Sequence, residues 1–243
     1  MATFVLVHGG MHGGWCYTRL AAVLREAGHE VHCPTLSGLG ERRHLLHEGI
    51  GLDTHIADIV SYLFHEDLHD VYLAGHSYGG MVITGVADKA FDRVGHLVFL
   101  DASHPRNGES LVNVAPGMME MAAGFMRTEN GVDVVELPDP VAIEAFGLPD
   151  PEDYAWAKPR LAPQPWKCFT QKLRLEHEDE MRRIPRTSIN CTPTLSVRPD
   201  GLKHRCFEAD YVFEVDTGHD LMLTEPQRVA EMLIEVVGKS QAA

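Results

Sequence analysis

The sequence predicts an α/β fold, a mostly parallel central sheet flanked by helices. Three observations lead there. Short apolar runs alternate with stretches of helical spacing through residues 4–100 and again through residues 188–237. A Gly-x-Ser-x-Gly pentapeptide, Gly75 to Gly79, stands between one such run and one such helix. A length of 243 residues with 44% hydrophobic content suits one domain with a single core.

Taken in order, Phe4-Val5-Leu6-Val7 is an unbroken apolar run stopped by His8-Gly9-Gly10, the pattern of a strand buried on both faces. Residues 15–27 follow as a helix, with Leu20, Val23 and Leu24 on one side and Gly28 as its C-cap. Residues 30–33 read as a strand closed by Pro34. Residues 53–64 read as a helix (Ile56, Ile59, Val60, Leu63), 71–74 as a strand, 80–92 as a helix and 97–100 as a strand. The rhythm then stops. Residues 103–185 are rich in Pro, Met, Glu and aromatics, with helical pieces and no convincing strand. We expect an insertion there, lying over the sheet edge, so that residues 1–102 and 186–243 form the core and 103–185 a cap. Strands at 188–191 and 211–215 and a terminal helix over 226–237 complete the chain. No internal repeat or low-complexity tract is present.

The balance of 21 basic against 35 acidic residues, a formal charge of −14, works against nucleic acid or an anionic membrane as partner. No stretch approaches the roughly 20 apolar residues of a membrane span, and the N-terminus shows no basic, then apolar, signal-peptide pattern. Five cysteines without a C-x-x-C pair suggest neither a disulfide framework nor a zinc ribbon, and point to a reducing cytoplasm. A homodimer is left open.

In the strand-to-helix context of residues 71–80, Ser77 occupies the place of a nucleophile held in a strained turn, where its neighbours two before and two after must lack side chains. Gly75 and Gly79 meet that requirement; the plainer reading is a Gly-rich turn. A serine hydroxyl needs a base. Among 15 histidines, His219 lies after the last strand and before the last helix, where the order Ser, acid, His puts the base. Most others, such as His29, His44, His47, His55 and His96, read as solvated or satisfied in the core. Two amides are needed for an oxyanion. Tyr78, at the first turn of its helix, offers one; Gly10, in the loop after the first strand, offers the other, unless that loop is merely a tight turn.

Val5-Leu-Val-His-Gly-Gly-Met-His-Gly-Gly-Trp15, Pro34-Thr-Leu-Ser-Gly-Leu-Gly-Glu41, Gly75-His-Ser-Tyr-Gly-Gly80 and Gly218-His219 together resemble the branch of the α/β-hydrolase superfamily that holds plant methylesterases, hydroxynitrile lyases and bacterial esterases. The resemblance implies the α/β-hydrolase fold with a helical cap. Lyases of that branch carry threonine after the first-strand histidine and lysine after the catalytic one. Here Gly9 and Asp220 stand in those places, and an anion beside the base opposes cyanide. The branch puts its catalytic aspartate after the strand at 188–191, at a position that falls on Thr194, which cannot hold an imidazolium. Asp101, directly after the strand at 97–100, is the first candidate for a relocated acid. Asp200 is the second. Asp101 also reads as an ordinary strand-end cap.

His65-Glu66-Asp67-Leu68-His69 fits the letters of a zinc motif but spans a helix end and lacks a third ligand; Gly38-Leu-Gly40 lacks the rest of a phosphate loop. No metal or other cofactor is called for. Met11, in the loop after the first strand, and Trp156 and Trp166, in the insertion, are the candidate substrate contacts; the insertion's Met118, Met119, Met121, Phe125, Met126 and Phe146 suit an adaptable apolar pocket or simply pack the cap. The expected activity is that of a serine hydrolase acting on a small carboxylic ester or lactone. The rivals are a lyase or cofactor-free base catalyst on the same fold, and a non-catalytic ligand receptor.

Overall fold

The computed structural model describes the backbone of residues 1–242 and the side chains of residues 1–240. Six parallel strands form the main sheet: β1 (Thr3–Val7), β2 (Glu30–His32), β3 (Val71–His76), β4 (Val94–Leu100), β8 (Arg186–Cys191) and β9 (Tyr211–Val215), in the order β2-β1-β3-β4-β8-β9. The chain steps outward from β1 to β2 and then returns to place β3 on the other side of β1. This reversal opens a crevice at the carboxyl ends of β1 and β3, the position where open α/β sheets hold their ligands. Val7 pairs with Gly75, His76 with Leu100, and Leu100 with Ile189, so the loops after four strands emerge side by side.

Burial on both faces explains the apolar runs. Phe4 through Val7, Leu73, Ala74, Val98 and Leu100 are all but inaccessible, covered by α1 (Thr18–Glu26), α2 (Leu52–His65), α3 (Gly79–Lys89) and the helix Pro226–Ala242. The expected first helix is split: residues 14–17 wind as a tighter 3₁₀ turn before α1, and Thr18 Oγ donates to the Trp15 carbonyl at their junction. Strand β3 runs two residues beyond its apolar stretch, through Gly75 and His76.

The segment between β4 and β8 holds short helices, including Pro116–Ala123, Asp139–Phe146 and Pro151–Ala157. It also holds strands that the sequence reading did not expect. β5 (Met126–Glu129), β6 (Val132–Val135) and β7 (Gln164–Pro165) make a three-stranded antiparallel sheet. Asn130 and Gly131, at φ +52° and +83°, turn β5 into β6. This is the Asn-Gly hairpin turn, hidden because the exposed Arg127 and Thr128 break any apolar alternation.

The returning end of this segment is anchored on α3. Fully buried Asp88 accepts from the amides of Glu176 and His177 through Oδ1, at 2.8 and 2.6 Å. Asp88→Ala leaves both amides without that acceptor and is expected to cost about 3 kcal/mol. Chemical denaturation measures the loss, and hydrogen exchange should quicken at Glu176 and His177 before the sheet amides. A loss below about 1 kcal/mol would show that the segment is held elsewhere.

Candidate active site

Only Ser77 and Tyr78 separate β3 from α3, so the turn is abrupt. Ser77 takes φ +52°, a left-handed conformation costly for a side-chain-bearing residue. Its carbonyl accepts from the amides of Gly80 and Ser103, both at 3.0 Å. A Cβ on Gly75 would stand 2.6 Å from the Gly79 carbonyl oxygen, and one on Gly79 2.6 Å from the Val7 carbonyl oxygen. The serine is thus raised above the sheet because the backbone beneath it leaves no room for side chains.

His219 reaches this hydroxyl from the loop after β9. Its Nε2 accepts from Ser77 Oγ at 2.8 Å, and its Nδ1–H donates to Asp101 Oδ2 at 2.5 Å. The carboxylate below sets the tautomer that leaves Nε2 free to receive a proton. Asp101 follows β4 at φ +44° and is buried. Its Oδ1 accepts from the Cys191 amide at 3.3 Å and lies 3.5 Å from Arg198 Nη2, which also donates to the Asp101 carbonyl at 3.1 Å. Burial by itself would raise the Asp101 carboxyl. The hydrogen bond and charge of His219, followed by Arg198 and a hydrogen bond from Thr194, outweigh burial and hold it at about 2. Thr194, where the resemblance would place the acid, thus contributes to lowering the Asp101 carboxyl. Asp200 is exposed in the first turn of the helix Asp200–Lys203 and makes no hydrogen bond to His219 among the described residues.

The loop after β1 is held peptide by peptide. His8 donates from Nδ1 to the Gly9 carbonyl at 2.8 Å and accepts from the Leu36 amide at Nε2, at 3.1 Å. Burial pushes its pKa down to about 3, so it stays neutral. His12 Nδ1 donates to the Gly10 carbonyl at 2.7 Å. The Met11 amide donates to Gln164 Oε1 at 2.9 Å, and its carbonyl accepts from Ala162 at 2.8 Å. Met11 itself sits at φ +66°. Neither the Gly10 nor the Tyr78 amide donates to a protein acceptor among the described residues, and both residues border the same cavity as Ser77. Tyr78 is fixed from its far end: its phenol donates to His55 Nδ1 at 2.9 Å, and His55 Nε2 donates to the Ser37 carbonyl at 3.0 Å.

That cavity measures about 50 Å³ and has Ser77 and His219 at its foot. Met11, Met118, Met119, Met121, Phe146 and Phe169 contribute to its wall. Trp156 and Trp166 are not among the residues that line it. Trp156 packs on Trp15 at 5.5 Å and faces the guanidinium groups of Arg19 and Arg160 on the outside of the segment. Trp166 lies edge-on to Phe169 at 5.8 Å, and Phe169 reaches the cavity instead. Phe125 and Met126 also lie away from it. Gln164, Arg198 and Thr194 carry no local sequence signal for their positions here. A wider groove of about 770 Å³ lies beside His104, Arg186 and Arg205. It borders none of Ser77, His219 and Asp101, so size does not mark the site. His65 closes α2, His69 lies in the turn beyond and contacts Arg93, and among the described residues no three His, Cys, Asp or Glu side chains are gathered as metal ligands.

The sequence pattern of the Alpha/beta hydrolase family matches residues 4–232. The carbendazim hydrolyzing esterase of Nocardioides sp. (strain SG-4G) is 39% identical over 246 residues, spanning 96% of this chain and 98% of that protein. Methylesterase 18 of Arabidopsis thaliana is 24% identical over 251 residues, spanning 96% and 95%. Among solved structures, an extracellular alpha/beta-hydrolase from a Paenibacillus species superposes with a TM-score of 0.80 at 25% identity, covering 97% of this chain and 98% of that one. That protein is described as sharing structural and functional homology with tobacco salicylic acid binding protein 2.

Asp101 makes a pH-dependent contribution to stability. Its carboxyl falls from an ordinary value of 3.8 to about 2 on folding, a contribution of roughly 2 kcal/mol. A depressed acid stabilises the fold above its unfolded value and loses that effect as pH falls through the folded one. Asp101→Asn is therefore expected to flatten the acid limb of a denaturation-against-pH curve between about pH 4 and pH 2. An unchanged limb would mean that the carboxylate is not the favoured state in the fold.

Proposed function

Because the chain belongs to the alpha/beta hydrolase family, we propose that it is a serine esterase, cleaving small carboxylic esters or lactones through an acyl-enzyme on Ser77. One observation carries the reading: the continuous relay from Asp101 through His219 to Ser77, at 2.5 and 2.8 Å, in a cavity walled by apolar side chains. The esterase relative at 39% identity supports ester hydrolysis as the reaction class.

The chemistry follows from the donors and acceptors in place. Ser77 Oγ forms a bond to the ester carbonyl carbon while its proton passes to His219 Nε2, and the carbonyl π electrons become an oxyanion. The amides of Gly10 and Tyr78 receive that charge, and the loss of one such donor typically costs 10²–10³ in kcat. Imidazolium then returns the proton to the departing alkoxide oxygen as the carbon–oxygen bond breaks. Water repeats the sequence on the acyl-enzyme and frees Ser77. Asp101 holds the ring and balances its charge. Met11 and the methionines of the insertion offer an adaptable wall for an apolar acyl or alkoxy group.

A fluorophosphonate should label Ser77 and no other residue, and the label should be lost in Ser77→Ala. Turnover of short p-nitrophenyl esters, methyl esters and lactones by a folded Ser77→Ala should fall to less than about one hundredth of wild type. Residual turnover above that level would favour a base-only mechanism in which His219 works without a serine nucleophile.

The acid is tested separately. Asp101→Asn should lower kcat by about 10⁴, the size of the corresponding change in a serine protease, while Asp200→Asn should cost less than about tenfold on the same scale. The opposite ranking would move the acid to Asp200 and leave Ser77 and His219 in their roles.

A further inference from the structure

We propose that His12 and Asp220 form a buried imidazolium–carboxylate pair that locks the Gly10–Met11 peptide, making both of them positioning residues for the amide that receives the oxyanion. The inference rests on the reading of Ser77, His219 and the Gly10 amide as an esterase site. Its own support is a matter of counting protons. His12 Nδ1 lies 2.7 Å from the Gly10 carbonyl oxygen, and His12 Nε2 lies 2.9 Å from Asp220 Oδ2. A carbonyl can only accept, and a carboxylate can only accept. A neutral imidazole has one N–H and serves one of them. Both contacts are hydrogen bonds when the ring carries both protons, and the carboxylate then balances its charge.

The surroundings favour that state. Side-chain exposure is 1% for His12 and 0% for Asp220, so either charge alone would be expensive to bury and the pair is not. Burial by itself lowers His12, but the charge and hydrogen bond of Asp220, with the Gly10 carbonyl, raise it overall. Burial likewise raises Asp220, and His12 more than reverses that. Burial holds the neighbouring His76 and Cys16 uncharged. His76 Nε2 is 3.8 Å from Asp220 Oδ1, but it donates to the His219 carbonyl at 2.9 Å, and burial pushes its pKa down to about 3. The Cys16 thiol is pushed well up by burial. Trp15 stacks on the His12 ring at 5.3 Å and Phe146 meets it edge-on at 4.9 Å, which closes the pair to water.

The pair has a directional effect. The Gly10–Met11 peptide presents its carbonyl to His12 and its N–H to Gln164 Oε1. Turning that peptide over would aim an N–H at a ring with no lone pair to offer and a carbonyl at another carbonyl-type oxygen. With a neutral His12, one ring nitrogen could accept that N–H, so the second proton is what forbids the flip. The preceding peptide, which carries the Gly10 N–H, is held on its carbonyl side by His8. Asp220 also follows His219 directly and donates its amide to the Phe146 carbonyl at 2.8 Å. One buried residue, through its carboxylate, its amide and its place in the chain, thus joins the oxyanion loop, the insertion and the base.

The test combines kinetics with NMR. Asp220→Asn should lower kcat and the fluorophosphonate labelling rate of Ser77 together, each by about 10- to 100-fold, with KM changed less than threefold, because only transition-state stabilisation is lost. His12→Asn, which places an amide donor near the former Nδ1, should retain more activity than His12→Ala. The double variant His12→Asn with Asp220→Asn should be no slower than the worse single one. Nitrogen-15 spectra of the wild-type protein at pH 8 should show both His12 ring nitrogens protonated. A single protonated nitrogen there, or folded variants labelled at the wild-type rate, would overturn the proposal. If wild-type Ser77 takes no label, the esterase reading fails instead, and the His12 spectrum still decides the charge state of the pair.

Discussion

The left-handed backbone of Ser77 is the constraint on which the rest is arranged. At φ +52° between a buried strand and a helix, the residue is stable only where the structure around it is over-determined. The surrounding contacts supply this. Carbonyls of β1 and α3 stand where side chains on Gly75 or Gly79 would go, and two amides converge on the Ser77 carbonyl. The same tightness that strains the turn keeps the hydroxyl within 2.8 Å of His219 Nε2. Asp101, also left-handed at φ +44°, repeats the device one strand away. Two strained residues at the carboxyl ends of adjacent strands thus face one imidazole, and the sheet register that aligns His76 with Leu100 sets their spacing.

Beneath this constellation lies a layer of buried histidines whose protonation is divided by their partners. His8 and His76 have one carbonyl each to serve and no carboxylate in hydrogen-bond contact, and both are driven down to about 3 by burial. His12 has an acceptor on each side, one of them a carboxylate, and moves the other way. Burial is nearly the same for all three, so partner chemistry rather than depth sets the charge.

The fold was legible wherever the physics is local. Phe4 to Val7 and Leu97 to Leu100 announce buried strands because both faces need apolar residues, and the helices between them show their inward stripes. The β5–β6 hairpin was not read, although Asn130-Gly131 marks its turn, because Arg127 and Thr128 face solvent and erase the alternation. In the site, Ser77 and His219 stand out by their glycine neighbours and their order along the chain, and the structure brings both to Asp101. Gln164, Arg198 and Thr194 were invisible, since each acts through a tertiary contact with a residue far away in sequence. Trp156 and Trp166 show the opposite limit. An aromatic side chain in an insertion suggests a pocket wall, but only the packing direction decides whether it faces inward.

A cavity of about 50 Å³ above Ser77 is far smaller than the roughly 300 Å³ at the lower end of small-molecule pockets. The residues that close it belong largely to the segment between β4 and β8, and that segment grips the Met11 peptide from both sides through Gln164 and Ala162. On the proposal that the Gly10 amide receives an oxyanion, the width of the cavity and the geometry of that loop are therefore mechanically coupled. Any movement of the insertion large enough to widen the cavity has to give up the contacts that hold Met11 in its left-handed state.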